Sequence, residues 1–329
     1  MDKNNYYLGI DVGSVSTDFA LLDTDNQLVE KIYLKTKGKP IKVIKKGIEI
    51  LKGKVNTKKT NIVAVGATGS GRKLAGVLVG ADVIKNEITA HAVAAAKIIP
   101  EVKTVLEIGG QDSKIIIIRD GIAVDFAMNT VCAAGTGSFL EQQARRLGIE
   151  IEKFGDLALK AKEAVRIAGR CSVFAESDMI HKQQLGYNIP EIIAGLSEAM
   201  VRNYLNNVAK GKDIKPPIVF QGGVAANRGI QKAFSKELGC EIHVPAEYDV
   251  MGAIGVAVLA GEKIAQSDDS TSFKGFDISG FSYKAESFPC DGCPNQCEIV
   301  NIYQNGSLIA RWGARCERWE IKKEKTAVS

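Results

Sequence analysis

The sequence predicts an α/β fold that is built as two related halves. Three short apolar segments open the chain and predict strands: YYLGIDVG, STDFALLD and LVEKIYL. The later segment TVLEIGGQDSKIIIIRDGIAVDFAMN repeats this succession of strand, polar turn and strand. Segments with apolar residues at helical spacing, among them IKVIKKGIEILKG and EITAHAVAAAKII, alternate with the strands. Alternating strands and helices favour the α/β class, and the repeated pattern indicates an internal duplication.

Length and composition are typical of two ordinary domains with a small appended piece. The chain has 329 residues, of which 45% are hydrophobic and 25% charged. We expect one half over residues 1–100, a second over 101–262, and a linker with a cysteine-rich tail over 263–329. The net charge of +5 comes from lysines scattered along the chain, so we expect no nucleic-acid partner. No apolar run reaches membrane-spanning length, which predicts a cytoplasmic protein without a membrane partner.

Two glycine-containing turns, one in each half, carry candidate phosphate-binding residues. In LGIDVGSVSTD, Asp11 closes a strand, Gly13 lets the backbone approach an anion, and Ser14 can donate a hydrogen bond to it. The segment LEIGGQDSK offers the same chemistry in the second half with Gly109, Gly110, Gln111 and Asp112. Facing each other across a cleft, the turns would grip a polyphosphate, and their two carboxylates could hold magnesium through water. The alternative is a pair of ordinary hairpins with polar tips.

A third glycine-rich element favours the nucleotide interpretation. PPIVFQGGVAANRGIQKAF reads as a strand, a double glycine and a helix. Gly222 and Gly223 leave room for a flat ring against the backbone, which suits an adenosine pocket. The segment MGAIGVAVLAG then predicts a helix of small residues that can pack closely at a hinge.

These motifs together resemble a known nucleotide-binding fold. The DxG, GGQD and QGGVAAN segments and the small-residue helix look like the ribonuclease H-like fold shared by actin, heat-shock chaperones and sugar kinases. Within that fold, VCAAGTGSFLEQQA and GRCSVFAESDMI resemble the ATP-dependent activators of 2-hydroxyacyl-CoA dehydratases and benzoyl-CoA reductases. The resemblance covers residues 6–262 and extends to the reductases of double-cubane cluster proteins.

The resemblance implies cofactors and partners. It implies ATP or ADP with Mg²⁺, and a homodimer with one [4Fe-4S] cluster at the subunit interface. It also implies a ferredoxin or flavodoxin as electron donor and an iron–sulfur enzyme as acceptor. We expect catalysis of hydrolysis by Asp11, Gln111 and Asp112, and nucleotide binding by Gly13, Ser14, Gly109, Gly110, Gly135, Gly137, Gly222, Gly223 and Asn227.

Two cysteines in the main body are candidate cluster ligands. Cys132 and Cys171 each precede a predicted helix, where free amides and the helix dipole favour a thiolate. A [4Fe-4S] cluster needs four thiolates, so a twofold dimer would complete the set. Alternatives for Cys132 are a catalytic nucleophile, for which no histidine lies nearby in sequence as a base, and a buried filler. Cys240 lacks such a setting and is interpreted as a filler.

The remaining four cysteines crowd into the tail. Cys290, Cys293 and Cys297 form a C-x2-C-x3-C segment, and a hairpin turn at Asn305 is expected to bring Cys316 back to it. This density indicates either zinc or a second iron–sulfur cluster, and zinc is favoured because the piece is too small to fold without a metal. The polar stretch 266–274 is expected to be a linker with few core contacts.

The sequence thus predicts an ATPase that drives electron transfer to a partner enzyme. The principal alternative is a small-molecule kinase of the same fold with a structural zinc tail, although no acidic base facing a substrate can be singled out. A binding module without enzyme activity is a third interpretation, and it predicts a colourless protein.

Overall fold

The computed structural model describes residues 4–129, 133–267 and 270–319. The first half contains five strands: β1 (Asn4–Val12), β2 (Ser16–Asp23), β3 (Leu28–Lys35), β4 (Thr60–Thr68) and β5 (Val83–Ile84). Its helices are α1 (Pro40–Lys54), α2 (Arg72–Val79) and α3 (Glu87–Ile98). The three opening strands and both predicted helices are confirmed.

The second half supplies the next five strands: β6 (Thr104–Ile108), β7 (Ser113–Arg119), β8 (Ile122–Met128), β9 (Ile218–Gln221) and β10 (Ile242–His243). Its helices are α4 (Gly137–Arg146), α5 (Ile151–Leu159), α6 (Ser172–Gln184), α7 (Ile189–Asn207) and α8 (Arg228–Leu238), and they are followed by α9 (Met251–Ala265). Within the described part of the chain, no helix combines the length and apolarity that a membrane span requires.

The two halves have one topology, which confirms the predicted duplication. The first sheet has the order β3-β2-β1-β4-β5, and the second has the order β8-β7-β6-β9-β10. In each, a three-stranded antiparallel meander is followed by two parallel strands. The registers also correspond, because Asp11 is opposite Asp18 in one meander and Glu107 is opposite Lys114 in the other.

Helices α3 and α9 lie between the two sheets and share a core cluster with residues of both. Their small side chains permit backbone contact, as predicted for the small-residue helix. A Cβ at Gly9 of β1 would clash with the Ala253 carbonyl, and one at Gly255 would clash with the Ala90 carbonyl. Helix α9 packs on β1 and β4 of the first sheet, so the chain after the second half returns to the first. The boundaries at residues 100 and 262 stay predictions.

The tail forms a three-stranded antiparallel sheet of β11 (Tyr283–Pro289), β12 (Glu298–Gln304) and β13 (Ser307–Trp312). The predicted hairpin turn is confirmed, since Asn305 and Gly306 have φ of 50° and 85° as a type I′ turn requires. Strand β11 was not expected, because its mixed sequence YKAESFP lacks the regular apolar alternation of a half-buried strand.

The expectation of a linker with few core contacts is wrong. Asp82 accepts hydrogen bonds from Thr271 Oγ1 and the Ser272 amide, both at 2.7 Å. Further along, Ile278 and Ile302 are fully buried in the core of the first half. The prediction failed because three aromatic residues that pack on this core lie among polar neighbours: Phe273, Phe276 and Phe281.

Candidate functional site

A cleft of about 440 Å³ lies between the two halves, a volume within the range of small-molecule sites. Both hairpin turns and the β9 turn line it. Of the residues predicted to bind or hydrolyse a nucleotide, those that line the cleft are Asp11, Gly13, Ser14, Gly109, Gly110, Gln111, Asp112, Gly137, Gly222, Gly223 and Asn227. Gly135 is not among them and lies instead beside the side chain of Asn203.

The first hairpin is held by its own backbone. The Gly13 amide donates to the Ser16 carbonyl at 2.8 Å, and the Gly13 carbonyl accepts from Thr36 Oγ1 at 3.0 Å. These bonds fix the turn while Ser14 at its tip stays exposed. Gly110 of the second hairpin approaches so closely that a Cβ there would be 2.6 Å from Cγ2 of Val15. The two turns therefore face each other as predicted.

Asp11 is enclosed at the base of the first hairpin. A Cβ at Gly69 or at Gly252 would clash with its carboxylate oxygens, so the chain provides glycine on both sides. Burial, and then repulsion from Glu87, raise the pKa of Asp11 to about 7. A cation in the cleft would favour the ionised form of this carboxylate, which is the form that binds magnesium.

The second hairpin is clamped by the start of α4. The Gly109 amide donates to the Asp112 carbonyl at 2.9 Å, which repeats the turn of the first half. Gly137 then donates its amide to the Gly109 carbonyl at 2.9 Å, and Ser138 donates its amide to the Gly110 carbonyl at 2.8 Å. The amides of Gly137 and Ser138 are thus committed to the hairpin, and the exposed tip residue is Gln111.

A buried lysine joins three carboxylates at the bottom of the cleft. Lys114 Nζ lies 2.9 Å from Glu87, 3.0 Å from Glu107 and 2.8 Å from Asp112, and its side chain is only 3% exposed. Burial lowers the pKa of Lys114, but attraction to the three acids outweighs it, so the net direction is upward. Burial raises the pKa of Glu107 to about 7, because one cation does not neutralise three acids.

The sequence did not lead us to this network, although a signal was present. Glu107 and Lys114 interrupt two otherwise apolar strands, TVLEI and SKIIIIR, at positions that an antiparallel hairpin places opposite each other. Opposite charges inside neighbouring buried strands indicate an ion pair.

His91 lines the cleft as well, although the sequence did not predict it to be a site residue. Its Nδ1 lies 2.8 Å from Nε2 of Gln221, which donates to it, and burial lowers the pKa of His91 to about 3. The imidazole is therefore neutral at the wall of the cleft.

The turn after β9 packs closely against the end of β6, and its role in binding adenosine stays a prediction. Gly222 has a φ of 87°, which favours glycine, and a Cβ there would lie 2.5 Å from the Ile108 carbonyl oxygen. Its amide donates to the Tyr248 carbonyl at 2.8 Å. Asn227 caps α8 by accepting from the Ile230 amide at 3.1 Å.

Cys171 is the N-cap residue of α6 and is partly exposed. Glu176 of the same helix accepts hydrogen bonds from Gln142 at 3.0 Å and Gln143 at 3.3 Å, and it pairs with Arg146 at 2.6 Å. All three partners belong to α4, so Glu176 ties the helix that clamps the second hairpin to the helix that begins at Cys171. Cys132 lies outside the described residues.

The described ranges contain no group of three or more histidine, cysteine, aspartate or glutamate side chains arranged to hold a metal ion. In the tail, Cys290 is buried, Cys297 is partly buried, and Cys293 and Cys316 are exposed. Their role as ligands stays a prediction. Cys240 is partly buried against the core of the second half, as expected for a filler.

Two halves of one topology, with a glycine hairpin from each facing a shared cleft, define an ATPase of the actin-like class. The chain belongs to the BadF/BadG/BcrA/BcrD ATPase family, whose model matches residues 8–260. It is 35% identical to the (R)-2-hydroxyglutaryl-CoA dehydratase activating ATPase of Acidaminococcus fermentans, over 79% of this chain and 99% of that protein. It is 32% identical to the 2-hydroxyisocaproyl-CoA dehydratase activator of Clostridioides difficile, over 80% of this chain and 97% of that one.

A solved structure agrees with these relationships. The activator of the 2-hydroxyisocaproyl-CoA dehydratase from Clostridium difficile with bound ADPNP matches with a TM-score of 0.72 and 30% identity, over 80% of this chain and 97% of that one. Since the family model ends at residue 260, the C-terminal sheet lies beyond the matched region.

Proposed function

We propose that this protein is an ATP-hydrolysing electron-transfer activator. It takes a low-potential electron from a ferredoxin or flavodoxin and delivers it to a partner iron–sulfur enzyme. Partners of suitable chemistry are a 2-hydroxyacyl-CoA dehydratase, a benzoyl-CoA reductase or a double-cubane cluster protein. Family membership supports this proposal, and one observation carries it: Glu176 connects the clamp of the second hairpin to the helix that begins at Cys171.

Hydrolysis takes place in the cleft. Asp11 and Asp112 would hold the magnesium of the bound nucleotide, which would neutralise phosphate charge, and Gly222 and Gly223 would leave space for the adenosine. Gln111 at the exposed hairpin tip orients a water molecule toward the γ-phosphorus. The new P–O bond forms as the bond to the β-phosphate oxygen breaks, and ADP and phosphate leave.

A short series of contacts connects the nucleotide cleft to α6, so that a change of nucleotide can displace that helix. Loss of the γ-phosphate changes what the second hairpin binds, and the amides of Gly137 and Ser138 couple that hairpin to α4. Glu176 then couples α4 to α6. A rigid helix can transmit such a displacement because packed elements move as units.

The residues at the start of α6 fit a shared cluster. Cys171 is partly exposed at a helix N-terminus, where unpaired amides favour thiolate and anionic cluster. With Cys132, each subunit would supply two thiolates, and a twofold homodimer would supply four. Val173 and Phe174, 67% and 68% exposed beside Cys171, suit burial against a second copy. The bound [4Fe-4S] cluster would hold the electron between donor and acceptor.

Iron content tests the shared cluster. Cys132→Ser or Cys171→Ser, each alone, should remove the iron and the brown colour of anaerobically purified protein, because one substitution removes half the ligands of a symmetric site. ATP affinity should stay unchanged in both variants. Cys240→Ser is the matched control and should keep its iron. Full iron content in either ligand variant would refute the shared cluster.

The coupling has its own test. Glu176→Gln should preserve nucleotide affinity but reduce the difference in amide hydrogen exchange of α6 between the ADPNP-bound and ADP-bound protein. Glu198→Gln is the control, since Glu198 pairs with Arg202 of α7 and Lys236 of α8 and, among the described residues, with none of α4 or α6. An unchanged response of α6 in Glu176→Gln would exclude this route.

A further inference from the structure

The C-terminal sheet brings all four tail cysteines to one end. Cys290 directly follows β11, and Cys297 directly precedes β12, with Cys293 in the loop between them. Cys316 follows the end of β13 at the same edge, because β13 runs antiparallel to β12. Three strand ends and one connecting loop therefore place the four cysteines at the same end of the sheet.

Cys290 is paired with Cys297, and its sulfur is surrounded by hydrogen-bond donors. Its amide donates to the Cys297 carbonyl at 2.7 Å, which extends the antiparallel ladder and places both side chains on one face. Its Sγ accepts two hydrogen bonds, from Trp319 Nε1 at 3.1 Å and from the Gly292 amide at 3.4 Å. Donors directed at sulfur stabilise and orient metal-bound thiolates.

Trp319 also brings Cys316 into the arrangement. The turn Glu317–Trp319 starts immediately after Cys316, and its indole contacts Cys290 while its ring packs against Phe288 with centroids 5.1 Å apart. Cys293 and Cys316 are exposed, so their thiols can turn toward Cys290 without displacing a packed neighbour.

We propose that Cys290, Cys293, Cys297 and Cys316 bind one structural zinc ion per chain. Residues in a hydrogen-bonded cross-strand pair have Cα atoms about 5.5 Å apart. Two sulfurs on one tetrahedral zinc are about 3.8 Å apart for Zn–S bonds of about 2.3 Å, so the pair Cys290 and Cys297 can reach a single ion. A closed site of four thiolates leaves no position for substrate.

The zinc site supports the first half of the ATPase. The strand next to Cys297 carries Ile302, which is fully buried in the core of that half, and Tyr283 of β11 packs on the same core. A metal that fixes the ends of these strands therefore stabilises more than the tail itself.

Metal analysis of the full chain tests the proposal. We expect about one zinc per chain in the wild type and in Cys240→Ser, and loss of that zinc in Cys293→Ser and Cys316→Ser. These two cysteines are exposed, so their replacement leaves packing intact. Iron associated with the dimer cluster should be unchanged, which separates this test from that of the proposed function. Iron lost in place of zinc, or no metal lost, would overturn the assignment.

A second variant tests the hydrogen bond to sulfur. Trp319→Phe keeps an aromatic ring beside Phe288 but removes the donor to Cys290, and it should weaken zinc affinity by about 10- to 100-fold in a chelator competition. Cobalt substituted for zinc should show thiolate-to-metal charge-transfer absorption, and the Trp319→Phe protein should lose it at lower chelator concentration. Equal affinity in both proteins would contradict the arrangement described here.

Discussion

The two hairpins have the same backbone topology but different charges at corresponding positions. In the second half, Glu107 faces Lys114 across the strand pair, and the acid and the base form a buried ion pair. In the first half, the corresponding positions hold Asp11 and Asp18, two buried acids. The second hairpin therefore contains its own cation, whereas in the described part of the chain no basic side chain forms an ion pair with either acid of the first.

Asp18 of the first hairpin shows the consequence of placing two acids opposite each other. Burial, and then repulsion from Asp11, raise the pKa of Asp18 well above its ordinary value. Asp18 is 6% exposed, accepts from Ser16 Oγ at 3.0 Å through one oxygen, and has no hydrogen-bond partner for the other among the described residues. We infer that the second hairpin is a fixed support and that the first responds to the cation that arrives with the nucleotide.

Removing the tail should destabilise the first half much more than the second, and this is the largest difference we expect between them. Truncation after residue 265 removes Ile278 and Ile302 from the core of the first half, where loss of a buried isoleucine side chain costs about 2–5 kcal/mol. Amide hydrogen exchange should therefore accelerate in β1 to β4 more than in β6 to β9. Truncation after residue 319 is the control and should leave both sheets protected. Equal acceleration in both halves would contradict the docking of the tail on the first.

Removing the internal cation should damage the second half. Lys114→Met leaves Glu87, Glu107 and Asp112 without their shared partner, and we expect the free energy of unfolding to fall by about 3–5 kcal/mol in urea titrations. Lys215→Met, which breaks an exposed pair with Asp213, should leave the free energy of unfolding close to that of the wild type. If both variants lost the same stability, the buried network would not be the support we describe.

The free energy of unfolding should depend on pH because the pKa of Glu107 in the second hairpin is raised. The pKa of Glu107 is raised from an ordinary value of 4.5 to about 7, so the folded state binds an extra proton between these pH values. The stabilisation that comes from protonated Glu107 is fully present below about pH 4.5 and is lost as the pH rises through about 7. Glu107→Gln should therefore flatten the stability profile in this window. A profile that matches the wild type would exclude Glu107 as its source.

The smallest effect is expected at Asp18. Asp18→Asn keeps the size of the side chain and an oxygen for Ser16 but removes the charge that repels Asp11. We expect the free energy of unfolding at neutral pH to change by less than about 1 kcal/mol, with a gain rather than a loss. A loss as large as that of Lys114→Met would show that the two hairpins are electrostatically alike.

The features that could be predicted from the sequence are those that local sequence patterns determine. Glycine and aspartate at strand ends are local signals, and they located both hairpins and the Gly222 turn that line the cleft. The Lys114 network depends on strand register, which joins Glu107 from one strand and Glu87 from a helix. Gly135 was included because it belongs to the motif AAGTG, but the chain turns it toward Asn203 and away from the cleft.

The docking of the tail was missed for a different reason. Polar residues dominate the segment after α9, so its composition indicates a linker. Phe273 nevertheless packs on the first core, and the amide of Lys274 donates to the Val79 carbonyl at 2.9 Å. Only the three-dimensional arrangement shows which few aromatic residues have a surface to cover.

Asn203 bears on the entropy of assembling the proposed interface site. Its side chain is buried in α7 and donates to the carbonyls of Gly169 at 2.7 Å and Arg170 at 3.3 Å, while Gly135 lies against its oxygen. Gly169 and Arg170 directly precede Cys171, so hydrogen bonds from α7 hold the backbone before that thiol. In the homodimer proposed above, conformational freedom of about 1–2 kcal/mol per residue would then be lost during folding and not when two subunits meet. Asn203 would thereby lower the entropic cost of forming that dimer.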